Sequence, residues 1–536
     1  MSSEPRAFAT VDHGTATVAA SLLGRVDGRW RLLGSTAAPA SVPADALVHR
    51  LRARLDAADP ALSRSVGLAA AEAIADLPRV EARTTRPPVL VVVAATERVV
   101  RPLAATAATA GWRVRAMALE GAEILAIASA LADPSVTAVL AGASDPPGAD
   151  ERPLVGELAA LAAAATQRRP DLVLILAGGM SDAVGRTDVP VAHDRPGATL
   201  LAPAVATADG ARLRALLDDV RGGASDGRRA LSSSAATLAE VLRRRVEVVE
   251  VGQSAGARVV AGWTPGAPAP AAVSATVAAA ALVPPGAEDT VVDEIAGWLT
   301  VPLDRLRLRD RLHELGLAPW GDATGEGALL RLAAARAALV RLTAATPAFD
   351  ALPPPDLVVA AGGAWSVAPG PAVALALADV LRRPGVRALG LDHAGLLGPL
   401  GTIEDAAERE RVISDLRDEL LLPLGSVLMP GGLRAGHSAG RLAIAAGDGP
   451  VELDLVPGGL ELVDLPPGSR AVVDLRFRDP VDLGLRGRHF ALEVAGGLGG
   501  LLVDLRDVPL RLPARLERRR ELLAAWQGAL WTGVDA

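Results

Sequence analysis

The sequence predicts an α/β protein of two large lobes followed by a smaller C-terminal β-domain. Three observations carry that prediction. Strand-like apolar runs alternate with helical segments from Ala7 to about Leu420, the pattern of a sheet covered by helices. A strand, an acidic glycine-containing loop and a second strand occur once near the N-terminus and again near residue 250. From Gly425 the texture changes to short alternating strands punctuated by Gly and Pro. At 536 residues the chain also exceeds what one core supports, since cores stop growing at about 250–300 residues.

The opening reads as strands Ala7–Val11, Ala16–Leu23 and Arg29–Gly34, with Asp27-Gly28 supplying the positive-φ pair of a hairpin turn. A helix follows over Ala44–Leu55, then a buried strand from Val89 and further core strands at Val114–Met117, Ala138–Ala141 and Leu172–Leu176, with a helix at Leu154–Gln167. Residues 186–228 read as a hinge region that closes the first lobe, 1–240. The second lobe, 241–423, starts with strand Val246–Val249, loop Glu250 to Ser254 and strand Ala257–Gly262. A Pro/Ala linker at 265–270 precedes helices Val291–Leu299, Asp304–Leu315 and Gly327–Ala345. Strand Asp356–Ala361 then runs into Gly362-Gly363, followed by helix Pro371–Arg382, strand Val386–Leu391 and a helix of mixed charge, Glu404–Leu420, read as a solvated face. The β-domain covers 424–512, and the C-terminal segment 513–536 carries a closing helix, Ala514–Leu530, with Trp526 in it and Trp531 just beyond its end.

Composition removes several chemistries. The chain has no Cys and no Lys, so a thiolate nucleophile, a disulfide, a Schiff-base lysine and a P-loop lysine are all excluded. A net charge of -7, without a basic tail or an aromatic-basic stripe, speaks against nucleic acid as a partner. The N-terminus lacks the charged start and apolar run of a secretory signal, and Ala269–Pro284 falls short of the about 20 apolar residues of a membrane helix. A cytoplasmic protein without a membrane span is expected. The seven His are scattered without metal-ligand spacing, and Ser232-Ser233-Ser234 reads as a helix cap, not a nucleophile. Asp392-His393 ends a strand, and Asp392 reads as the cap of the next turn, with a place on the wall of a cleft as the alternative.

The two acidic loops suit a phosphate clamp. In Asp12-His13-Gly14-Thr15 and in Glu250-Val251-Gly252-Gln253-Ser254, glycine permits close backbone approach to phosphate oxygens, hydroxyls add donors, and the acid holds magnesium or its water.

VDHGTATVAASLLG at 11–24, RPDLVLILAGG at 169–179, PPDLVVAAGGAWSVAP at 354–369, VRALGLDHAGLLGPLG at 386–401 and LEVAGGLGGLLVDLRDVPLRLP at 492–513 together resemble the glutamate mutase L family, whose members belong to the actin, Hsp70 and sugar-kinase superfamily. The resemblance spans most of the chain. It implies an actin-like fold of two ribonuclease H-like lobes with a nucleotide cleft between them. ATP and magnesium would be held weakly by Asp12, Gly14, Thr15, Glu250, Gly252, Ser254, Gly362 and Gly363, with Asp12 and Glu250 at the metal. The implied role is that of a chaperone or reactivase of an adenosylcobalamin-dependent mutase. No cobalamin is expected on this chain, because no Asp-x-His-x-x-Gly motif is present. The chain departs from the family pattern at three places: no Lys follows Thr15, Glu250 stands where Asp is usual, and Met180-Ser181-Asp182-Ala183 replaces Thr-Asp-Gly-Gly. These departures predict weak or absent ATPase activity, and the alternative is a catalytically silent scaffold that keeps the fold.

Overall fold

In the computed structural model, strands and helices follow the sequence pattern closely, and residues 6–68, 77–121, 124–180, 199–201, 211–221, 227–266, 272–284, 289–318, 325–365, 368–434, 438–446 and 449–530 are described. Most of the expected hinge within 186–228, part of the 265–270 linker, Ser181-Asp182-Ala183, His193, His437 and Trp531 lie outside them. The chain divides into two compact units, one of Met1–Thr85, Ala224–Ser274 and Ala280–Ala536, the other of Arg86–Gly223 and Ala275–Ala279.

The first unit begins with β1 (Ala7–His13), β2 (Thr17–Val26), β3 (Arg29–Pro39) and β4 (Arg79–Arg83), in the order β3-β2-β1-β4. Asp27 and Gly28 take φ of 51° and 79°, the primed turn that the right-handed twist of a tight hairpin requires.

The second unit holds β5 (Val89–Ala94), β6 (Arg113–Ala118), β7 (Val136–Ala143), β8 (Val173–Gly178) and β9 (Thr199–Leu201), all parallel in the order β6-β5-β7-β8-β9. This is the doubly wound order of flavodoxin-like sheets. Val91, Val93 and Leu174 pack with Ile127 and Leu158 on one face, while Leu90, Val92 and Ile175 pack with Leu103 and Leu217 on the other. Burial of both faces is why these strands read as continuous apolar runs.

The chain then continues through β10 (Val246–Val251), β11 (Gly256–Ala261), β12 (Val273–Val277), whose residues fall to both units, β13 (Leu357–Ala361), β14 (Gly385–Leu391) and β15 (Leu422–Met429). Strand β10 is antiparallel to β11 and parallel to β13, as β1 is antiparallel to β2 and parallel to β4. This duplicated strand order is that of an actin-like two-lobed α/β fold, and both matched strand sets, β1 to β4 and β10, β11 and β13, lie within the first unit.

One apolar core joins the two lobes. Phe8, Leu23 and Trp30 from the first sheet, Leu231 and Leu238 from helix Gly227–Leu242, Val248 and Val359 from the second sheet, and Leu396, Leu397 and Leu400 all belong to it. Ser234 donates to the Leu397 carbonyl at 2.5 Å, so the serine run expected as a cap sits inside that helix. The acids of the mixed-charge segment are not all solvated either. Asp415 accepts from the Trp30 N–H at 3.0 Å, and Glu419 accepts from the Leu32 N–H at 2.8 Å and from Arg31. Outward N–H groups of edge strand β3 thereby find acceptors.

The tail adds β16 (Gly440–Ala446), β17 (Gly449–Leu455), β18 (Leu460–Val463), β19 (Arg470–Asp482), β20 (Arg486–Ala495) and β21 (Leu501–Asp504). The strands anticipated over 424–512 are divided between two sheets. β15, β21 and β18 extend the second-lobe sheet beyond β14, whereas β17-β16-β19-β20 form an antiparallel sheet of their own. Leu442, Ile444, Val473 and Leu475 of that sheet pack on Leu428, Leu501 and Val503. Among the described residues no helix is long and apolar enough to cross a membrane.

Candidate functional site

The two acidic loops have the same construction. Asp12 pairs with Ala19 across the β1–β2 hairpin, and Glu250 pairs with Ala257 across β10–β11, each with the residue seven positions on. Within the loops the Gly14 N–H donates to the Thr17 carbonyl at 2.8 Å, and the Gly252 N–H donates to the Ala255 carbonyl at 3.0 Å. A Cβ on Gly14 would lie 2.9 Å from the Thr17 carbonyl oxygen, and one on Gly252 would lie 3.1 Å from that of Ala255. Glycine is therefore what lets each turn close. The loops face each other, since Thr15 Oγ1 donates to Ser254 Oγ at 3.2 Å.

Gly362, at the end of β13, takes a φ of +92°, and a Cβ there would meet the Val251 carbonyl oxygen at 2.5 Å. Only glycine brings this strand end so close to the second loop. Gly363 follows beside Thr17 of the first loop.

Two adjoining cavities lie between these groups and share Asp12, Thr17, Thr84, Glu250, Gly362 and Gly363. The smaller, about 50 Å³, is lined by the loop tips, Thr15 and Ala16 from one and Gln253 and Ser254 from the other. The larger, about 270 Å³, runs on towards Trp365, Leu391, Leu422 and Leu498. All eight residues expected at a nucleotide line one cavity or the other.

The charges are arranged unusually. Desolvation deep in the cleft, reinforced by Glu250 and Asp392 and opposed by Arg228, pushes Asp12 up to about 8. Asp392 is raised to about 6 by its own burial, against hydrogen bonds from the backbone N–H groups of Leu396 at 2.9 Å and Leu397 at 3.0 Å. It caps the turn as the sequence suggested, and it also lines the larger cavity. Three carboxyl groups thus act on one small space. Buried Arg228 and Arg331 line the loop cavity and bring positive charge to a chain without lysine.

Those two arginines escaped the sequence reading, whereas Asp392 fills both places the sequence offered it, the turn cap and the cleft wall. The available signal was a charge in an otherwise apolar helical run, as at Arg331 in GALLRLAAARAALV. His13 sits 3.4 Å from Glu81 on β4. Among the described residues no group of three or more His, Asp or Glu has the arrangement of a metal cage. A pair of carboxylates suits magnesium, which keeps waters and binds through one or two carboxylates together with substrate phosphates.

No family model and no curated protein matches the chain. Among solved structures it is similar to component A of (R)-2-hydroxyglutaryl-CoA dehydratase from Acidaminococcus fermentans, at 9% identity and a TM-score of 0.27, over 75% of this chain and 98% of that one. It is similar also to a ROK hexokinase from Thermus thermophilus, at 16% identity and a TM-score of 0.23, over 74% and 97% of the two chains. A chain of a PilM-PilN type IV pilus biogenesis complex gives 12% identity and a TM-score of 0.23, over 76% and 98%. At such scores the likeness adds nothing to what the strand order shows.

Proposed function

We propose that the chain is a nucleotide-cleft protein that receives the phosphates of ATP between its two acidic loops. The observation that carries this reading is the matched pair of turns, each with its own acid and hydroxyl, facing one cavity from the two lobes. Because Gly14 and Gly252 spend their N–H groups closing the turns, donors for phosphate come from the tips, Thr15 and Ala16 on one side and Gln253 and Ser254 on the other. Arg228 and Arg331 oppose phosphate charge. Asp12 and Glu250 are the residues that would hold magnesium, which when bound supplies charge neutralisation and orients the phosphates. Gly362-Gly363 and Trp365 border the space left for the nucleoside.

Within this reading the protein serves an adenosylcobalamin-dependent mutase as an accessory of the reactivase kind, supported by the motifs shared with the glutamate mutase L family. Hydrolysis is weak or absent. Phosphoryl transfer depends on exact placement of metal and cations, and Glu250 carries its carboxylate one methylene further out than Asp while no lysine is available. The apolar core common to both lobes favours a second reading, a silent scaffold whose lobes do not part.

Calorimetric titration with magnesium-ATP, paired with a phosphate-release assay on wild type and Asp12→Ala, separates these. Binding that Asp12→Ala abolishes, with turnover far below the about 1 s⁻¹ at the low end for ordinary enzymes, is the expected result. Rapid turnover abolished by that substitution would contradict the reading of the loops as weakened. Absence of binding leaves the scaffold.

A further inference from the structure

The larger cavity does not end on the lobes alone. One of its apolar wall residues, Leu498, comes from the tail and joins Leu422 of β15 there, and Leu498 is 46% exposed although it is a large apolar side chain. It is carried on Gly496-Gly497-Leu498-Gly499-Gly500, between β20 and β21. The loop is fixed by its backbone: the Leu498 N–H donates to the Pro423 carbonyl at 3.0 Å, that of Gly499 to Leu424 at 2.7 Å, and that of Gly497 to Leu465 at 2.9 Å.

The glycines are demanded by close approach. A Cβ on Gly497 would lie 2.1 Å from the Gly425 nitrogen, and one on Gly496 would lie 2.2 Å from the Pro466 carbonyl oxygen. On the facing side, a Cβ on Gly370 would come within 2.7 Å of the Leu498 Cβ, so small residues make room for that one side chain. The same cavity is lined by Trp365, 0% exposed, whose indole N–H has no acceptor among the described residues. A buried donor without an acceptor is costly unless something else supplies one, and the cavity that Trp365 lines is where a ligand atom can do so.

We infer that the tail loop is part of the ligand site: Leu498 and Leu422 form an apolar wall for a flat heteroaromatic group, the base of a nucleotide, and the Trp365 N–H donates to an acceptor on that ring system. This inference rests on the phosphate end lying at Asp12 and Glu250. It makes the tail a determinant of which nucleotide binds, a role for which the lobes alone are insufficient.

The test compares ATP, GTP and inorganic tripolyphosphate, each with magnesium, by calorimetry on wild type, Leu498→Asp and Trp365→Phe, with thermal unfolding to show that the variants are folded. Wild type is expected to bind ATP at least about 10-fold more tightly than tripolyphosphate, and Leu498→Asp to lose about 10-fold for ATP with no change for tripolyphosphate, the scale of an altered apolar pocket contact. Trp365→Phe keeps an aromatic ring but removes the donor, and should cost about 3- to 10-fold for whichever base binds more tightly. ATP affinity unchanged in Leu498→Asp, or equal wild-type affinity for ATP and tripolyphosphate, overturns the tail-loop assignment and leaves the phosphate cleft standing. If wild type binds neither probe, both readings fall.

Discussion

Asp504→Ala is expected to destabilise the first unit by about 3–5 kcal/mol, the usual cost of removing one member of a buried ion pair. Asp504 is 0% exposed and accepts from Arg506 Nη2 at 2.7 Å and Nε at 2.8 Å, and from Arg382 Nη1 at 2.6 Å. Arg506 bridges on to Asp379 at 2.8 Å, Asp379 holds Arg336 at 2.7 Å, and the Arg506 guanidinium lies 4.5 Å from the Trp526 ring. The chain of alternating charges ties helices Gly325–Ala345 and Gly370–Val380 to β21 and to the closing helix Leu516–Ala529. Without Asp504, two buried arginines lose their shared anion. Burial alone would raise the Asp504 carboxyl, but the hydrogen bonds and charges of Arg506 and Arg382 outweigh it and hold the group below the ordinary value. Its contribution is therefore present above the unfolded carboxylate range and is lost as pH falls through the lowered folded value. Chemical denaturation of wild type and Asp504→Asn across pH should show a gap that is constant at neutral pH and narrows only in acid.

Asp12→Asn should act in two opposite directions. With the folded carboxyl at about 8 and its ordinary value at 3.8, the folded chain keeps a proton over that interval which the unfolded chain has released. Stability from this site is full below the lower value and falls as pH rises through the upper one. The amide cannot ionise, so the variant should outlast wild type at pH 8.5 by on the order of 2 kcal/mol, less than the whole shift implies because the cavity admits water, and the difference should vanish near pH 4. Nucleotide binding should change the other way, with at least about a 100-fold loss in magnesium-ATP affinity once the metal-holding charge is gone. Thermal melts at the two pH values and calorimetry on the same samples measure both. A variant less stable than wild type at pH 8.5 would show that Asp12 sits comfortably ionised in the folded protein.

The sequence made some of this arrangement legible because the signals are local. Asp27-Gly28 between alternating strands announces its hairpin, and two acid-x-Gly loops between paired strands announce their turns. The separation of the second unit was not legible. Val89–Ala94 and Leu172–Leu176 read correctly as buried strands, but an apolar run carries no label for the sheet it joins, and parallel partners are distant in sequence. For the same reason the tail looked like one β-domain, although β15, β18 and β21 join the second-lobe sheet. At the candidate site the loop residues were visible as motifs. Arg228, Arg331 and Leu498 were not, because each reaches the cavity through packing of elements remote from the loops.

One nucleotide bridging both loops would be seen by hydrogen exchange of the full chain with and without magnesium-ATP, read on peptides covering 12–17, 250–255 and 362–365. All three are expected to gain protection together, at one ligand concentration, in wild type and not in Asp12→Asn. Protection confined to one loop, or to peptides of the second unit, would contradict it.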